Sequence, residues 1–269
     1  MNRDAQPSGA PLHQHRSAAE SFGTDAERYE RTRPPYPKAL IDRIAAISPV
    51  PTVLDVGTGT GIAARQLQAA GCTVLAVEPD PRMADYARRH GTEVEVSTFE
   101  DWDPAGRTFD AVVAGSAWHW VNPTTGATKA AQVLRPGGRL VPFWHIFQLP
   151  LEIVDAFATA YQRVAPDNPF HVERLRHALD GLEALIAPAA DAIRSTGLFS
   201  EPEQWRFDWQ HTYTKDEWLD QMPTSGGLTQ LPAESLAEVL TAVGTTIDAM
   251  GGSFTMAYAT IAINAIRFR

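Results

Sequence analysis

Apolar residues recur along this chain at two spacings, and their alternation predicts the fold class. Short β-prone runs occupy 52–56, 73–77, 94–97, 109–114 and 139–144. Between them, apolar positions return every three to four residues, as on one face of a helix. Over 38–47 this places Leu40, Ile41, Ile44 and Ile47 together, and further helices are expected at 61–70, 81–89 and 128–134. Gly71 and Gly91 stand where helix C-caps are expected. Pro142 inside the fifth run implies a strand end or an irregular ladder. Short strands divided by helices imply a mostly parallel sheet covered on both faces.

The flanking segments read differently. Thr24-Asp-Ala-Glu27 fits a capping box opening a short helix, which Pro34-Pro35-Tyr36-Pro37 must end or redirect. After residue 146 the strand signal fades, and 151–198 reads as two or three helices. Strands at 205–213 and 253–268 bring the expected number to seven, with a capping box at Thr214–Glu217 and a helix over 232–250 between them. Residues 1–20, rich in Gln, Pro, Ser, Ala and His, read as a disordered tail, and His13 and His15 on it as solvated residues rather than metal ligands. The expected organisation is that tail, a core with N-terminal lid helices over 21–145, a helical insertion over 146–200, and strands and a helix over 201–269 that complete the sheet.

Composition narrows the function. With 44% hydrophobic residues in 269, a sizeable core is available. A net charge of −9 argues against a generic nucleic-acid or anionic-membrane binder. The single cysteine, Cys72, excludes an internal disulfide and a multi-cysteine zinc site. No apolar run approaches a membrane span and no apolar leader opens the chain, so a soluble, cytoplasmic protein is expected.

The chemistry begins at Val53-Leu-Asp-Val-Gly-Thr-Gly-Thr-Gly61, followed by Glu78. A strand, a glycine turn, a helix and an acid at the end of the next strand describe a nucleotide-binding βαβ unit. The spacing is Gly-x-Gly-x-Gly, with Ile62 where a dinucleotide fingerprint continues, and it favours an adenosyl-plus-amino-acid ligand. Glu78 can accept two hydrogen bonds from a ribose diol, and Pro79 and Pro81 stiffen the turn that aims it. Thr98-Phe99-Glu100-Asp101 offers an apolar ring and two carboxylates for an adenine. Ala114-Gly-Ser-Ala-Trp-His-Trp120 combines small residues, which permit close ligand approach, with an aromatic cluster that suits a pocket. His119 within it reads either as a buried, satisfied histidine or as a catalytic base.

At these residues the chain resembles the class I S-adenosylmethionine-dependent methyltransferases, and within them a small-molecule branch that includes the trans-aconitate-like enzymes. The resemblance is carried by Val53–Gly61 with Glu78, by Ala114–Val121 with its His-Trp pair, and by Gln132-Val-Leu-Arg-Pro-Gly-Gly-Arg-Leu140. Phe22–Pro37, with Tyr29 and Arg33, resembles that branch's N-terminal lid. It implies an α/β, Rossmann-like, seven-stranded, mostly parallel sheet with helices on both faces and a helical lid or insertion. It also implies S-adenosyl-L-methionine as cofactor. Gly57, Thr58 and Gly59 would contact the methionine moiety, with Asp55 ordering the loop beneath it. Glu78 would take the ribose, Pro79 and Met83 would pack on the adenine, and Phe99 with Glu100 or Asp101 would line its other edge. Ser116 and Ala117 would lie under the methionine part, while Tyr29 and Arg33 close the site from above. Arg33 suits the amino-acid carboxylate, which guanidinium binds bidentately.

The implied reaction is in-line methyl transfer to an O-, N- or C-nucleophile of a small molecule. His119 is the expected base where the acceptor must lose a proton, and His145 the second choice; a carboxylate acceptor would need neither. No Asp and His cluster resembles a metal-dependent catechol site, so no metal is expected. Asn-Pro-Pro-Tyr after the fourth strand is absent, which with the acidic charge speaks against DNA or RNA. A monomer or homodimer is expected, with the insertion forming the acceptor pocket. The competing readings are a cyclase or binding module on the same fold, and a nicotinamide oxidoreductase.

Overall fold

Val53, Leu54, Asp55 and Val56 are all buried, as a strand covered on both faces requires, and this strand is the middle of the parallel half of the sheet. A computed structural model describes residues 21–166, 182–225, 228–229 and 231–268. The tail expected over 1–20, with His13 and His15, lies outside the described residues, as does 167–181 of the expected insertion.

Seven strands form one sheet: β1 (Thr52–Val56), β2 (Thr73–Glu78), β3 (Glu93–Val96), β4 (Phe109–Gly115), β5 (Leu134–Gln148), β6 (Glu203–Thr214) and β7 (Ser253–Ile266). Their order is β3-β2-β1-β4-β5-β7-β6. The first five pair in parallel, and β7 is antiparallel to both β5 and β6. The chain steps outward from β1 to β3, then returns to β4 on the other side of β1. That reversal opens a crevice beyond the carboxyl ends of β1 and β4.

Alternate strand residues serve opposite layers. On one face, α2 (Lys38–Ala45) and α3 (Ile62–Ala69) bring Leu40, Ile44 and Leu67 against Val53, Val113 and Phe143. On the other, α5 (Pro123–Val133) and α7 (Leu182–Ser195) bring Ala127, Ala130 and Ile193 against Leu54, Val112 and Leu140. α4 (Pro81–Arg89) follows β2 and buries Ala84 and Ala87 against Ala76 and Val94. A separate cluster forms where β6 and β7 extend beyond the parallel strands. There α6 (Leu151–Val164), α8 (Lys215–Gln221) and α9 (Ala233–Ala249) gather Ile153, Tyr161, Trp218, Val243 and Met256. Among the described residues, no helix is long and apolar enough to cross a membrane.

Two local expectations need correction. The first helix, α1 (Ala26–Thr32), follows a 3-10 turn and is capped by Asp25, whose carboxylate accepts the Arg28 amide at 2.9 Å; Thr24 is not the cap. The helix expected from residue 128 starts at Pro123, because Asn122 caps it through the Thr125 amide and proline suits its first turn. Pro142 lies within β5, and of the two alternatives the irregular ladder is the one seen: the pairing with β7 passes from Leu140–Ala265 directly to Phe143–Ala262. The capping box at Thr214 is present in both halves.

Candidate functional site

A cavity of about 480 Å³ opens at the carboxyl ends of β1, β2 and β4. Its floor is the glycine turn. Gly57 and Gly59 have φ of 66° and 57°, in the left-handed region that glycine tolerates without strain. A Cβ on Gly57 would stand 2.6 Å from the Cβ of Ala117, whereas one on Gly59 would meet nothing within 4 Å. Gly57 therefore lets two loops touch, and Gly59 leaves room for a ligand.

Glu78 is 7% exposed at the end of β2. Its Oε2 accepts the Gly59 amide at 2.7 Å and its Oε1 accepts the Asp80 amide at 2.9 Å. Burial pushes its carboxyl up to about 7, against the pull of those two backbone bonds. Each oxygen keeps a second lone pair, so the acid that orders the turn can still receive a diol.

Asp55 and Arg33 carry complementary vacancies in their bonding. The Asp55 carboxylate is fully buried and its Oδ2 accepts the Thr58 hydroxyl at 2.6 Å, while Oδ1 has no partner among the described residues. Burial raises this carboxyl to about 6, with the Thr58 bond opposing. Arg33 donates from Nη2 to the Thr224 carbonyl at 2.8 Å and its hydroxyl at 3.1 Å, and its guanidinium lies 4.8 Å from the Tyr29 ring centroid. Its buried Nε has no partner among the described residues. Both residues line the cavity. A buried acceptor without a donor and a buried donor without an acceptor are costly alone. An α-amino acid supplies the ammonium and carboxylate that complete both, so the adenosyl amino acid expected from the sequence fits these residues.

Helix α1 is tied to α8. Arg28 donates to the Asp220 carbonyl and Oδ1, both at 2.9 Å, and Arg31 reaches Oδ2 at 2.8 Å. On its other side Glu30 pairs with Arg65 of α3.

Pro79, Met83, Phe99 and Glu100 line the cavity together. Phe99 is buried beside Trp102 and Trp118, and Glu100 accepts the Asn122 amide at 2.7 Å. Of the two carboxylates left open by the sequence, only Glu100 lines the cavity. Asp101 is exposed, holds the Thr98 hydroxyl at 2.7 Å and is not a lining residue.

At the end of β4, Ser116 adopts φ of 53°, a strained value for a side chain other than glycine, and donates its amide to the Phe143 carbonyl at 2.7 Å. Ser116, Ala117 and His119 line the cavity. The Trp144 indole donates to Nδ1 of His119 at 3.2 Å. An indole only donates, so Nδ1 is unprotonated and the neutral ring carries its proton on Nε2. Burial lowers this imidazole to about 4. His145 does not line the cavity; its Nδ1 shares a hydrogen bond with the Thr260 hydroxyl at 2.9 Å, and burial pushes it down to about 3.

Phe22, Tyr36, Thr98 and Trp120 also line the cavity. Sequence reasoning placed Trp120 in the aromatic cluster of a pocket and missed Phe22, Tyr36 and Thr98 as site residues. Tyr36 lay inside the proline run read as a helix stop and as part of the lid resemblance, and Phe22 reaches the site through its edge-to-face contacts with Tyr29 and Trp120, at 6.0 and 6.3 Å. Lining residues all fall between Phe22 and Val121, so the described part of the expected insertion contributes none. Among the described residues, no group of three or more His, Cys, Asp or Glu is placed to hold a metal ion.

Comparison with known proteins agrees with this geometry. Residues 54–141 match the methyltransferase domain family. An uncharacterised methyltransferase of Mycobacterium tuberculosis (strain H37Rv) is 40% identical over 127 residues, 46% of this chain and 52% of that protein. A ubiquinone biosynthesis O-methyltransferase of Agrobacterium fabrum is 27% identical over 164 residues, 58% of this chain and 66% of the relative. The chain thus spans about half to two thirds of the relatives it matches. The solved structure of a candidate type II methyltransferase from Anaeromyxobacter dehalogenans shares the fold, with a TM-score of 0.61 and 23% identity over 87% of this chain and 97% of the other.

Proposed function

We propose, from the premise that residues 54–141 are a class I S-adenosylmethionine-dependent methyltransferase domain, that this chain methylates a small molecule at an oxygen that arrives ionised. The observation that carries the cofactor reading is the pair of buried vacancies, Asp55 Oδ1 and Arg33 Nε, on one cavity. Asp55 would take the ammonium, Arg33 the carboxylate and Glu78 the ribose diol. Met83, Pro79 and Phe99 would enclose the adenine, with Glu100 at its edge. Gly57, Thr58, Gly59, Ser116 and Ala117 would carry the methionine part, under Tyr29. When bound, the cofactor supplies a sulfonium-activated methyl group.

The residues near the end of β4 favour an acceptor that needs no base. His119 has its Nδ1 occupied by Trp144 and presents Nε2–H, so it donates a hydrogen bond to the acceptor. At about 4, its basicity is too low for proton abstraction near neutral pH. The base role expected from the sequence is therefore replaced by an orienting one. A carboxylate fits, and the name of the Agrobacterium relative implies an oxygen acceptor for that protein. Closure of α1 through Asp220 would exclude water from the transfer.

Incubation with methyl-labelled cofactor and a panel of small carboxylic acids, phenols and amines tests this. Label in carboxylic acids, released as methanol by mild base, supports the reading; label confined to amines, or none at all, overturns it.

A further inference from the structure

The segment Pro34-Pro35-Tyr36-Pro37 does more than end α1. Tyr36 is clamped through its backbone: its amide donates to Gln66 Oε1 at 2.9 Å, and Gln66 Nε2 donates to its carbonyl at 2.8 Å. Its ring stacks on His145 with centroids 4.4 Å apart and meets the Phe143 edge at 4.7 Å. Beneath it lies Gly115, where a Cβ would stand 2.8 Å from the phenol oxygen. The hydroxyl reaches Ser116 Oγ at 3.3 Å, and Ser116 is the residue with strained backbone. A ring held from four directions, over a residue that has to be glycine-sized, is a fixed phenol facing the cavity.

Its position in the sheet says what it faces. Glu78 ends β2, the glycine turn follows β1, and Tyr36 sits over β4 and β5, on the opposite side of β1 from Glu78. The diol end of the cofactor belongs to β2. The phenol therefore belongs to the far side, with the methionine part and its sulfonium rather than with the adenosine. Burial raises the Tyr36 phenol, which keeps the hydroxyl neutral.

We infer that the Tyr36 hydroxyl, paired with Ser116 Oγ, forms the polar wall of the methyl-transfer point and contacts the group that occupies the methyl position. The inference rests on the cofactor reading above, and it assigns Tyr36 and Ser116 to the methyl position rather than to the amino-acid end.

Two probes separate these ends without an acceptor. S-adenosylhomocysteine lacks anything at the methyl position, whereas sinefungin places an ammonium there. Titration calorimetry of both against the unsubstituted protein, Tyr36→Phe and Ser116→Ala is the test. Tyr36→Phe keeps the ring packing and should weaken sinefungin about tenfold while leaving S-adenosylhomocysteine within about twofold. Ser116→Ala should lower the same ratio in the same direction. An equal loss for both probes assigns the phenol to the amino-acid end or to structure, and unchanged affinity for both removes it from the site; either overturns the inference. If the unsubstituted protein binds neither probe, the cofactor reading itself fails and the inference falls with it. Binding of S-adenosylhomocysteine with an unchanged sinefungin ratio rejects only the assignment of Tyr36.

Discussion

Glu78 Oε2 accepts the backbone amide of Gly59 at 2.7 Å, so the acid assigned to the ribose also fixes the turn assigned to the methionine part. One carboxylate thereby couples the two halves of the cofactor site, and its protonation is read by both. Diol donors favour the ionised form, and the free protein holds the carboxyl up to about 7 by burial. The bound value must then lie below the free one. S-adenosylhomocysteine binding should release protons near pH 7, and its affinity should decline as pH falls below that value. Calorimetry in buffers of different ionisation enthalpy measures the release, which should vanish in Glu78→Gln, with affinity lower by about 1–3 kcal/mol.

The two floor glycines should separate stability from binding. Gly57→Ala sets a Cβ 2.6 Å from Ala117 at φ of 66°, and should cost about 2–3 kcal/mol of stability. Gly59→Ala meets no neighbour, so it should cost about 1–2 kcal/mol while the added methyl blocks the ligand. Urea unfolding and S-adenosylhomocysteine titration of both variants check the contrast; equal effects on both measures would refute it.

In the proposed lid, Asp220 would anchor α1 to α8 rather than stabilise the fold. Its pairs with Arg28 and Arg31 are partly exposed, with side-chain exposures of 31% for Asp220 and 32% and 60% for the arginines. Exposed pairs of this kind contribute little, at most about 1 kcal/mol. Asp220→Ala should leave the melting temperature nearly unchanged and raise the dissociation rate of S-adenosylhomocysteine several-fold, as stopped-flow fluorescence would record.

His119 and His145 are held neutral, at about 4 and about 3. Depressed histidine values contribute stability that is present above the unfolded value of 6.5 and is lost as pH falls from there through about 4 and 3. Glu78 and Asp55, raised by burial, act in the opposite sense, since their contribution is present at low pH and lost as pH rises through about 7 and about 6. The histidine term is isolated by comparison: His145→Phe should flatten the loss of stability between pH 6.5 and 4 relative to the parent. In the parent, ¹⁵N NMR should report the Nε2–H tautomer of His119 at pH 7.

Much of this architecture is legible in sequence because it is local. The glycine turn, Glu78 and the Thr214 capping box are encoded within a few residues of where they act, and the β-prone residues Val53, Leu54 and Val56 around Asp55 announce a buried strand. What escapes is set by tertiary contact. The indole of Trp144 decides the tautomer of His119 from a neighbouring strand, 25 residues away. The choice between Glu100 and Asp101 depends on which one Asn122 draws inward and which one Thr98 draws outward. Tyr36 looked like punctuation because prolines surround it, yet its role depends on Gln66, Gly115 and His145. The start of α5 was legible in Asn122-Pro123, a cap and first-turn signal outweighed by the polar Thr124-Thr125 that follows.

The most direct test of the central claim is a paired thermal and calorimetric titration of the unsubstituted protein with S-adenosylhomocysteine and with NADH. Saturable one-to-one binding of S-adenosylhomocysteine is expected, with stabilisation of about 2.7 kcal/mol at a hundredfold excess over Kd, and none by NADH. Stabilisation by NADH with no response to S-adenosylhomocysteine would contradict the account.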